Sequence, residues 1–284
     1  MHFLNLSDFN SQQLTEIFTL SENNLAENNP ADKQPLLGKT IVLFFPDSSI
    51  RTRISFEKAV HDLGGQAILF PPTSLDKPEA LQDVMGYIRN WASMIIVRHN
   101  NDERIQKMAA HSLVPVINAM SSYCHPCEIL SDLFAIKRQR PDFAELRYTF
   151  VGAKGNILQS WVNAAKAFDF QLKHVAPISE KLAIQDSHYQ FSEQLDEQLP
   201  QTDVLLTDSL PLHLKNDQYY SRYQITKRRI DMLPADALFN PCPPFFRGEE
   251  VSSEAISSDR FVGYEFKESL LTVQKAIIEY CLTR

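Results

Sequence analysis

The chain has 284 residues, which is enough for one large or two ordinary domains. Hydrophobic residues make up 44% and charged residues 22%, as in an ordinary globular protein, and four cysteines are too few for a disulfide framework. The formal net charge of −7 argues against a nucleic-acid-binding protein, in which clustered basic residues are expected.

The N-terminal residues 1–14 lack the basic start and apolar run of a signal peptide, and no apolar stretch reaches the length that spans a bilayer. We therefore expect a cytoplasmic protein without a membrane partner. Residues 21–35 are rich in Asn and Glu and are predicted to form a polar surface loop.

Short apolar runs bounded by turns alternate with segments of helical spacing. The runs predicted as strands are 40–45, 66–70, 93–98, 114–117, 147–152, 172–177, 203–206, 237–240 and 260–264. Apolar strands that alternate with helices are typical of parallel sheets covered on both faces. The predicted fold class is therefore α/β, with two domains that each contain a parallel sheet flanked by helices.

Two helices are expected to connect these domains. Residues 125–141 form a predicted helix between the two series of strands and are the natural bridge. The C-terminal segment is predicted to be a helix that packs back on the N-terminal domain, because its apolar residues share one face. These residues are Leu270, Val273, Ala276, Ile277 and Tyr280.

The stretch FFPDSSIRTRISFE (44–57) places hydroxyls and arginines where an apolar strand ends. In open parallel sheets, ligands bind beyond the carboxyl ends of strands, and helix N-termini there attract anions. Ser49 and Thr52 offer hydroxyls, and Arg51 offers a planar fork for a phosphate. The spacing alone leaves two interpretations open: a phosphate site, or a capped surface helix with solvated arginines.

The segment SSIRTRISFE (48–57) resembles the Ser-Thr-Arg-Thr-Arg…Ser-Phe-Glu signature of the aspartate/ornithine carbamoyltransferase family. Further similarities to this family follow in order: IIVRHN (95–100), VPVINAMSSYCHPCEILSDL (114–133), TFVGAKGNILQSW (149–161), NPCPPFFRGEEV (240–251) and LLTVQKAI (270–277). Each motif alone is weak. Their order and spacing together identify the chain as a member of this family.

The resemblance implies transfer of the carbamoyl group from carbamoyl phosphate to the amine of an ornithine-like amino acid, with no metal or cofactor. It assigns residues 1–135 and the C-terminal helix 266–284 to the carbamoyl-phosphate-binding domain, and residues 136–265 to the amino-acid-binding domain. Arg51, Arg98 and His125 would be catalytic. The implied carbamoyl-phosphate site comprises Ser49, Ile50, Arg51, Thr52, Arg98, His125 and Glu128.

The family's catalytic unit is a homotrimer with shared active sites. Residues 73–84 resemble a loop that reaches into the neighbouring subunit in aspartate-type relatives, which makes Ser74 and Lys77 candidate contacts. The alternative for Lys77 is an ordinary solvated loop lysine. The implied contacts to the amine substrate are Asn156, Asp208, Cys242 and Pro243.

The chain departs from the family pattern at several positions. Ile50 replaces a threonine, and Ser269 stands where a late arginine is expected. Leu212, His213 and Leu214 stand where ornithine enzymes carry Ser-Met-Gly. Glu128 replaces a glutamine near a dianion, which is unfavourable unless a cation compensates the charge or the carboxylate takes a proton.

Alternatives to the favoured function therefore stay open. One is a non-catalytic relative that serves as a binding or partner subunit, and others keep the enzyme but change the acceptor to an N-acylated ornithine, aspartate or another amine. Aspartate is disfavoured because Asn156 stands where its enzymes need an arginine. The CHPC segment (124–127) lacks a second ligand pair for zinc, and VGAKGN (151–156) lacks the third glycine of a dinucleotide site.

Overall fold

The computed structural model describes residues 1–26 and 34–284. These residues form two compact units. Unit 1 comprises Met1–Gln139 and Lys267–Arg284, and unit 2 comprises Arg140–Phe266. Each unit contains one parallel sheet flanked by helices, which confirms the predicted fold class. Within the described ranges, we find no helix with the length and apolar character needed to cross a membrane.

The strands of each unit are parallel throughout. Unit 1 contains β1 (Thr40–Phe44), β2 (Gln66–Phe70), β3 (Met94–Arg98) and β4 (Val116–Met120), in the order β2-β1-β3-β4. Unit 2 contains β5 (Tyr148–Val151), β6 (Leu172–Val175), β7 (Tyr189–Ser192), β8 (Val204–Thr207) and β9 (Leu238–Pro241), in the order β7-β6-β5-β8-β9.

The helices fill the connections between these strands. Those of unit 1 that precede unit 2 in the chain are α1 (Ser11–Ala26), α2 (Ile50–Asp62), α3 (Leu81–Ile88), α4 (Asp102–His111) and α5 (Pro126–Gln139). Unit 2 contains α6 (Asn156–Phe168), α7 (Leu195–Gln198), α8 (Asp217–Tyr223), α9 (Lys227–Ile230) and α10 (Ser253–Ile256). The chain returns to unit 1 with α11 (Ser269–Thr283). Short 3-10 helices are Leu6–Asp8, Pro72–Asp76, Ile178–Glu180, Leu199–Gln201, Leu212–Leu214 and Glu265–Glu268.

The strand order creates a reversal point in each sheet. In unit 1, β1 pairs with β2 on one side and with β3 on the other, so the chain runs outward in both directions from the β1–β3 pair. In unit 2, the same reversal falls between β5 and β8. Open parallel sheets bind ligands at the carboxyl ends of the strands that flank such a point. Both candidate ligand positions are therefore set by topology.

The sequences of the central strands are continuous apolar runs, because helices cover both faces of the sheet. Every residue of β3 from Met94 to Val97 is buried, and Ile41 and Leu43 of β1 are fully buried. The edge strand β2 differs, since its residues alternate between exposed and half-buried. This difference leaves Ile68 and Phe70 with substantial exposed surface.

The C-terminal helix packs back on unit 1, as predicted. It contacts α1, α2 and α5, and all five apolar residues of the predicted face are buried. The bridging helix was predicted at 125–141 and is observed as α5, from Pro126 to Gln139.

Two predictions about elements were wrong and one strand was missed. Residues 260–264 do not form a strand, because only two backbone hydrogen bonds join this segment to Phe239. The sequence analysis missed β7, a four-residue edge strand with polar side chains and little burial. Residues 21–26 belong to α1 rather than to a loop, while 27–33 of that predicted loop lie outside the described residues.

Candidate active site

The first turn of α2 lies directly beyond the carboxyl end of β1. Ser49 occupies the N-cap position, yet its side chain makes no capping hydrogen bond. Its hydroxyl instead accepts a hydrogen bond of 3.0 Å from the guanidinium of Arg98, and Thr52 Oγ1 lies 3.5 Å from the same nitrogen. Ser49 is 2% exposed. The interpretation as a simple capped surface helix therefore does not describe this segment.

Arg98 is the last residue of β3. The register with β4 shifts between Val97 and Arg98, and such an irregularity redirects the side chain that follows it. Burial and the nearby charge of Arg51 lower the pKa of Arg98, which an arginine tolerates while staying protonated at neutral pH. Two guanidinium groups are thus held close enough to disfavour each other. An anion between them would relieve that repulsion.

The two arginines of the α2 segment differ in their surroundings. Arg53 Nε lies 2.6 Å from Glu57 Oε1, one helical turn away, and its guanidinium lies 3.9 Å from Asp47. Arg53 therefore belongs to the surface charge pattern of the helix. Arg51 is exposed and acts electrostatically on Arg98 and Glu128. Ile50, which precedes it, is 66% exposed.

His125 precedes α5 at the carboxyl end of β4, and its side chain is buried. Burial lowers the pKa of His125 to about 4, and the opposing influence of Glu128 does not cancel this effect. The imidazole is therefore neutral at pH 7 and offers one N–H donor. A buried, preoriented donor is suited to an oxygen that gains negative charge during a reaction.

Glu128 lies in the first turn of α5 and is 6% exposed. Lys267 Nζ donates to Glu128 Oε1 over 2.7 Å and to Asp132 Oδ1 over 2.6 Å. Burial alone would raise the pKa of Glu128, but Lys267, His125 and Arg51 outweigh burial and lower it. Glu128 is therefore ionised. The sequence analysis expected Glu128 to need a compensating cation but did not identify it. The structure shows that this cation is Lys267.

The loop that carries Ser74 and Lys77 is fixed at its base. Asn101 donates its N–H to His99 Nδ1, so His99 Nε2 carries the proton and donates to Asp76 over 3.1 Å. Arg104 also donates to the carbonyl of Leu75, which is buried. Lys77 follows this anchored turn and is exposed. Within the described part of the chain, Lys77 makes no ion pair.

The four predicted contacts to the amine substrate share one edge of the sheet in unit 2. Asn156 is the first residue of α6 after β5, Asp208 directly follows β8, and Cys242 and Pro243 directly follow β9. Since β5, β8 and β9 are neighbours in the sheet, their carboxyl ends place these residues on the same side. Cys242 donates its N–H to the carbonyl of Thr207 over 2.8 Å, which links the two segments.

Two residues that the sequence analysis missed support the loop between β5 and α6. His174 Nε2 lies 2.8 Å from the carbonyl of Gly152, and Glu180 accepts from the N–H of Lys154 over 3.2 Å. Glu180 also binds His213 Nε2 at 3.0 Å, so the side chain of His213 is directed to this carboxylate. Leu212, by contrast, is 86% exposed.

The cysteines of the CHPC segment are buried thiols. Cys124 accepts a hydrogen bond from the Asn118 amide over 3.3 Å, and burial raises the pKa of Cys124 to about 12. Across 1–26 and 34–284, no group of three or more His, Cys, Asp and Glu side chains has the arrangement to hold a metal ion.

Fold and site together define a two-unit α/β protein with a cluster of cationic and hydroxyl donors for an anion in unit 1. Comparison with family models identifies the protein family. Residues 1–138 match the model described as aspartate/ornithine carbamoyltransferase, carbamoyl-P binding domain. Residues 144–281 match aspartate/ornithine carbamoyltransferase, Asp/Orn binding domain. The chain belongs to the aspartate/ornithine carbamoyltransferase family.

Individual relatives cover the whole chain. It is 32% identical to an ornithine carbamoyltransferase from Hydrogenovibrio crunogenus, over 100% of this chain and 98% of that protein. Among solved structures, it resembles ornithine carbamoyltransferase from Burkholderia thailandensis, with a TM-score of 0.90, 29% identity and coverage of 99% and 98% of the two chains. The enzyme from Thermus thermophilus gives a TM-score of 0.89 at 25% identity, with 98% of each chain covered.

Proposed function

We propose that the protein transfers the carbamoyl group of carbamoyl phosphate to the side-chain amine of ornithine and releases phosphate. The observation that carries this proposal is the hydrogen bond from Arg98 to Ser49, which sets a guanidinium across the N-terminus of α2. A guanidinium, two hydroxyls and the helix N-terminus form a binding set for a phosphate dianion. The relatives reported above are all named for ornithine, which favours it over aspartate, N-acylated ornithine and other amines.

In the proposed reaction, the neutral amine attacks the carbamoyl carbon and negative charge builds on the carbamoyl oxygen. His125 and Arg98 donate hydrogen bonds to that oxygen, which stabilises the transition state. The bond between the carbamoyl carbon and the phosphate oxygen then breaks, and the proton lost by the amine is taken by the departing phosphate. Ser49, Arg51 and Thr52 hold the phosphate, and the backbone beside Ile50 approaches it. Glu128 accepts from the carbamoyl amino group.

The roles of the two units follow from this reaction. Unit 1 corresponds to the proposed carbamoyl-phosphate-binding domain, predicted as 1–135 with 266–284. Unit 2 corresponds to the proposed amino-acid-binding domain, predicted as 136–265, in which Asn156, Asp208, Cys242 and Pro243 contact the acceptor. The cytoplasmic location and the lack of a nucleic-acid partner stay predictions from the sequence.

We also propose a homotrimer with shared active sites, in which Ser74 and Lys77 of one subunit complete the site of its neighbour. Lys77 is exposed at the end of an anchored turn, as a residue that serves another subunit must be. Unit 1 also exposes apolar side chains: Ile50 and Ile54 of α2 are more than half exposed, and Phe70 of β2 is 44% exposed. Exposed apolar surface of this kind marks interaction sites.

The non-catalytic alternative loses part of its motivation in this structure. It depended on Ile50, the lost Ser-Met-Gly and Ser269, and also on Glu128 as an uncompensated charge beside a dianion. Lys267 pairs with that carboxylate and removes this last motive. No contact of the described residues favours a second function over carbamoyl transfer.

A turnover assay with several amines tests the proposed function. The purified protein is incubated with carbamoyl phosphate and, in parallel, ornithine, N-acetylornithine, aspartate and putrescine, and products are identified by mass. We expect a carbamoyl adduct of ornithine with stoichiometric phosphate release. Faster turnover of another amine would replace the acceptor but keep the chemistry. A folded protein without turnover of any amine would contradict the proposal.

A further inference from the structure

Lys267 joins two carboxylates that lie one turn apart on α5. Glu128 and Asp132 are at positions i and i+4, so they share a face of the helix, and both are nearly buried at 6% and 2% exposure. Lys267 lies just before α11, and its ammonium bridges the two carboxylates at 2.7 and 2.6 Å. A buried carboxylate pair without a cation would be strongly unfavourable.

A purely structural role for Lys267, whose side chain is 21% exposed, needs only one of these contacts, since Asp132 by itself provides a carboxylate partner for the ammonium. The contact of Lys267 with Glu128 has a further consequence, because Glu128 lies closer to the proposed site than Asp132 does. Glu128 acts electrostatically on both His125 and Arg98, which places its charge within the proposed site. Asp132 lies one helical turn further along α5, and therefore further along the helix from His125. Lys267 is therefore connected to the site through Glu128.

The charge balance of the site depends on this connection. Arg51, Arg98 and Lys267 are cationic, while Glu128 and Asp132 are anionic, and His125 is neutral because burial lowers its pKa to about 4. Removal of Lys267 would leave the charge of Glu128 uncompensated beside the two guanidinium groups. A phosphate dianion would then meet an unpaired carboxylate, and its binding would weaken.

We propose that Lys267 is a positioning residue of the carbamoyl-phosphate site. It holds Glu128 as an ionised acceptor for the carbamoyl amino group and compensates the charge of Glu128 toward the phosphate. This inference rests on the proposed function, because it concerns the same ligand.

Three variants separate a role in the site from a role in folding. Lys267→Met removes the cation. Two double variants, Lys267→Met with Glu128→Gln and Lys267→Met with Asp132→Asn, each remove the cation and one carboxylate, so both retain one buried carboxylate. Lys137→Met is a control, because Lys137 lies on α5 with Glu128 and Asp132 but pairs with Glu22. Carbamoyl phosphate binding is measured by calorimetry, and unfolding by urea titration.

We expect Lys267→Met to weaken carbamoyl phosphate binding at least about tenfold, and Lys137→Met to leave it unchanged. The double variant with Glu128→Gln should recover to within about threefold of the wild type, while the one with Asp132→Asn should stay at least about tenfold weaker. The affinity of Lys267→Met should also rise relative to wild type as the pH falls from about 8 to about 6, because the uncompensated Glu128 takes up a proton.

Two results would overturn the inference and leave the proposed function intact. One is equal affinity of the wild type and Lys267→Met for carbamoyl phosphate. The other is equal recovery of this affinity in the two double variants. If Lys267→Met does not fold, the comparison of the two double variants decides the question, and Lys267→Arg, which keeps the charge, should bind at least about tenfold more tightly than the variant with Asp132→Asn. A wild type that does not bind carbamoyl phosphate would instead overturn the proposed function, and this inference with it.

Discussion

Arg98 at the end of β3 donates a hydrogen bond of 3.0 Å to the hydroxyl of Ser49, the residue directly before α2. The serine hydroxyl therefore accepts a hydrogen bond from a guanidinium of a neighbouring strand and makes no capping bond to the backbone of its own helix. Neighbouring parallel strands bring their carboxyl ends together, so residues 49 positions apart in sequence meet at one point. The proposed anion site is built on this contact.

Substitution of Ser49 tests the contact. We expect Ser49→Ala to weaken carbamoyl phosphate binding about tenfold, because Arg98 loses an oriented partner and the phosphate loses a hydroxyl donor. Stability should change little, since the hydroxyl makes no capping bond. Calorimetric titration measures the binding, with Ser48→Ala as the control because Ser48 is exposed and adjacent. Equal affinity in Ser49→Ala and wild type would argue against a phosphate at this position.

The loop with Lys77 tests the shared site. Arg51→Ala and Lys77→Met should each lose at least about 100-fold in turnover. When the two inactive proteins are dissociated, mixed and reassembled, activity should return in part, because some sites combine an intact Arg51 with an intact Lys77 of the partner. The control is a mixture of Arg51→Ala with the double variant Ser49→Ala/Arg51→Ala. It should stay inactive, because no chain in it has an intact Arg51. Mixed assemblies without recovered activity would contradict a site shared between subunits.

Buried histidines predict how stability depends on pH. Burial lowers the pKa of His174 to about 4, below its ordinary value of 6.5, and His174 is hydrogen-bonded as a neutral ring to Gly152 and Tyr189. The unfolded chain therefore binds a proton that the folded chain does not, between about pH 6.5 and 4. The free energy of unfolding falls as the pH drops through this window.

The expected loss from this one group is about 3 kcal/mol over the window. Urea unfolding of wild type and His174→Gln at several pH values measures it. The variant should be less stable at pH 7 but should lose less stability on acidification. Identical slopes for the two proteins would show that His174 is not the titrating group.

Two glycines of unit 1 should respond to alanine with opposite signs. Gly64 follows α2 with φ of +82°, and a Cβ there would lie 2.8 Å from Gln34 Cβ. Gly86 lies inside α3, with no atom within 4 Å of an added Cβ. We expect Gly64→Ala to destabilise the protein by about 1–3 kcal/mol, and Gly86→Ala to stabilise it by about 0.5–1 kcal/mol. Thermal unfolding measures both, and changes of equal sign would contradict the geometry.

The sheets could be predicted because buried parallel strands are continuous apolar runs, a pattern that one sequence displays directly. The strand β7 escaped prediction since it is short, polar and at an edge. Residues 260–264 were predicted as a strand on local composition alone, but a strand requires a partner over several residues. Element boundaries shifted where Pro115, which lacks an N–H, precedes the first residue of β4.

The candidate site could be predicted only where the chain carries a local motif. Arg98 ends a recognisable strand, His125 follows one, and Ser49 lies in a recognisable segment. Lys267 carries no such signal, because its two partners lie 139 and 135 residues away. The sequence indicated that Glu128 needed a compensating cation, but only the packing of the C-terminal segment on α5 shows which residue provides it.

Calorimetric titration of the folded wild-type protein with carbamoyl phosphate, beside Arg51→Ala and Arg53→Ala, tests the central claim most directly. Arg53 is the matched control, because it lies two residues away and pairs with Glu57 on the helix surface. The account predicts binding by wild type and Arg53→Ala, and a loss of at least about tenfold in Arg51→Ala. Absence of binding in the wild type, or equal binding in all three proteins, would contradict it.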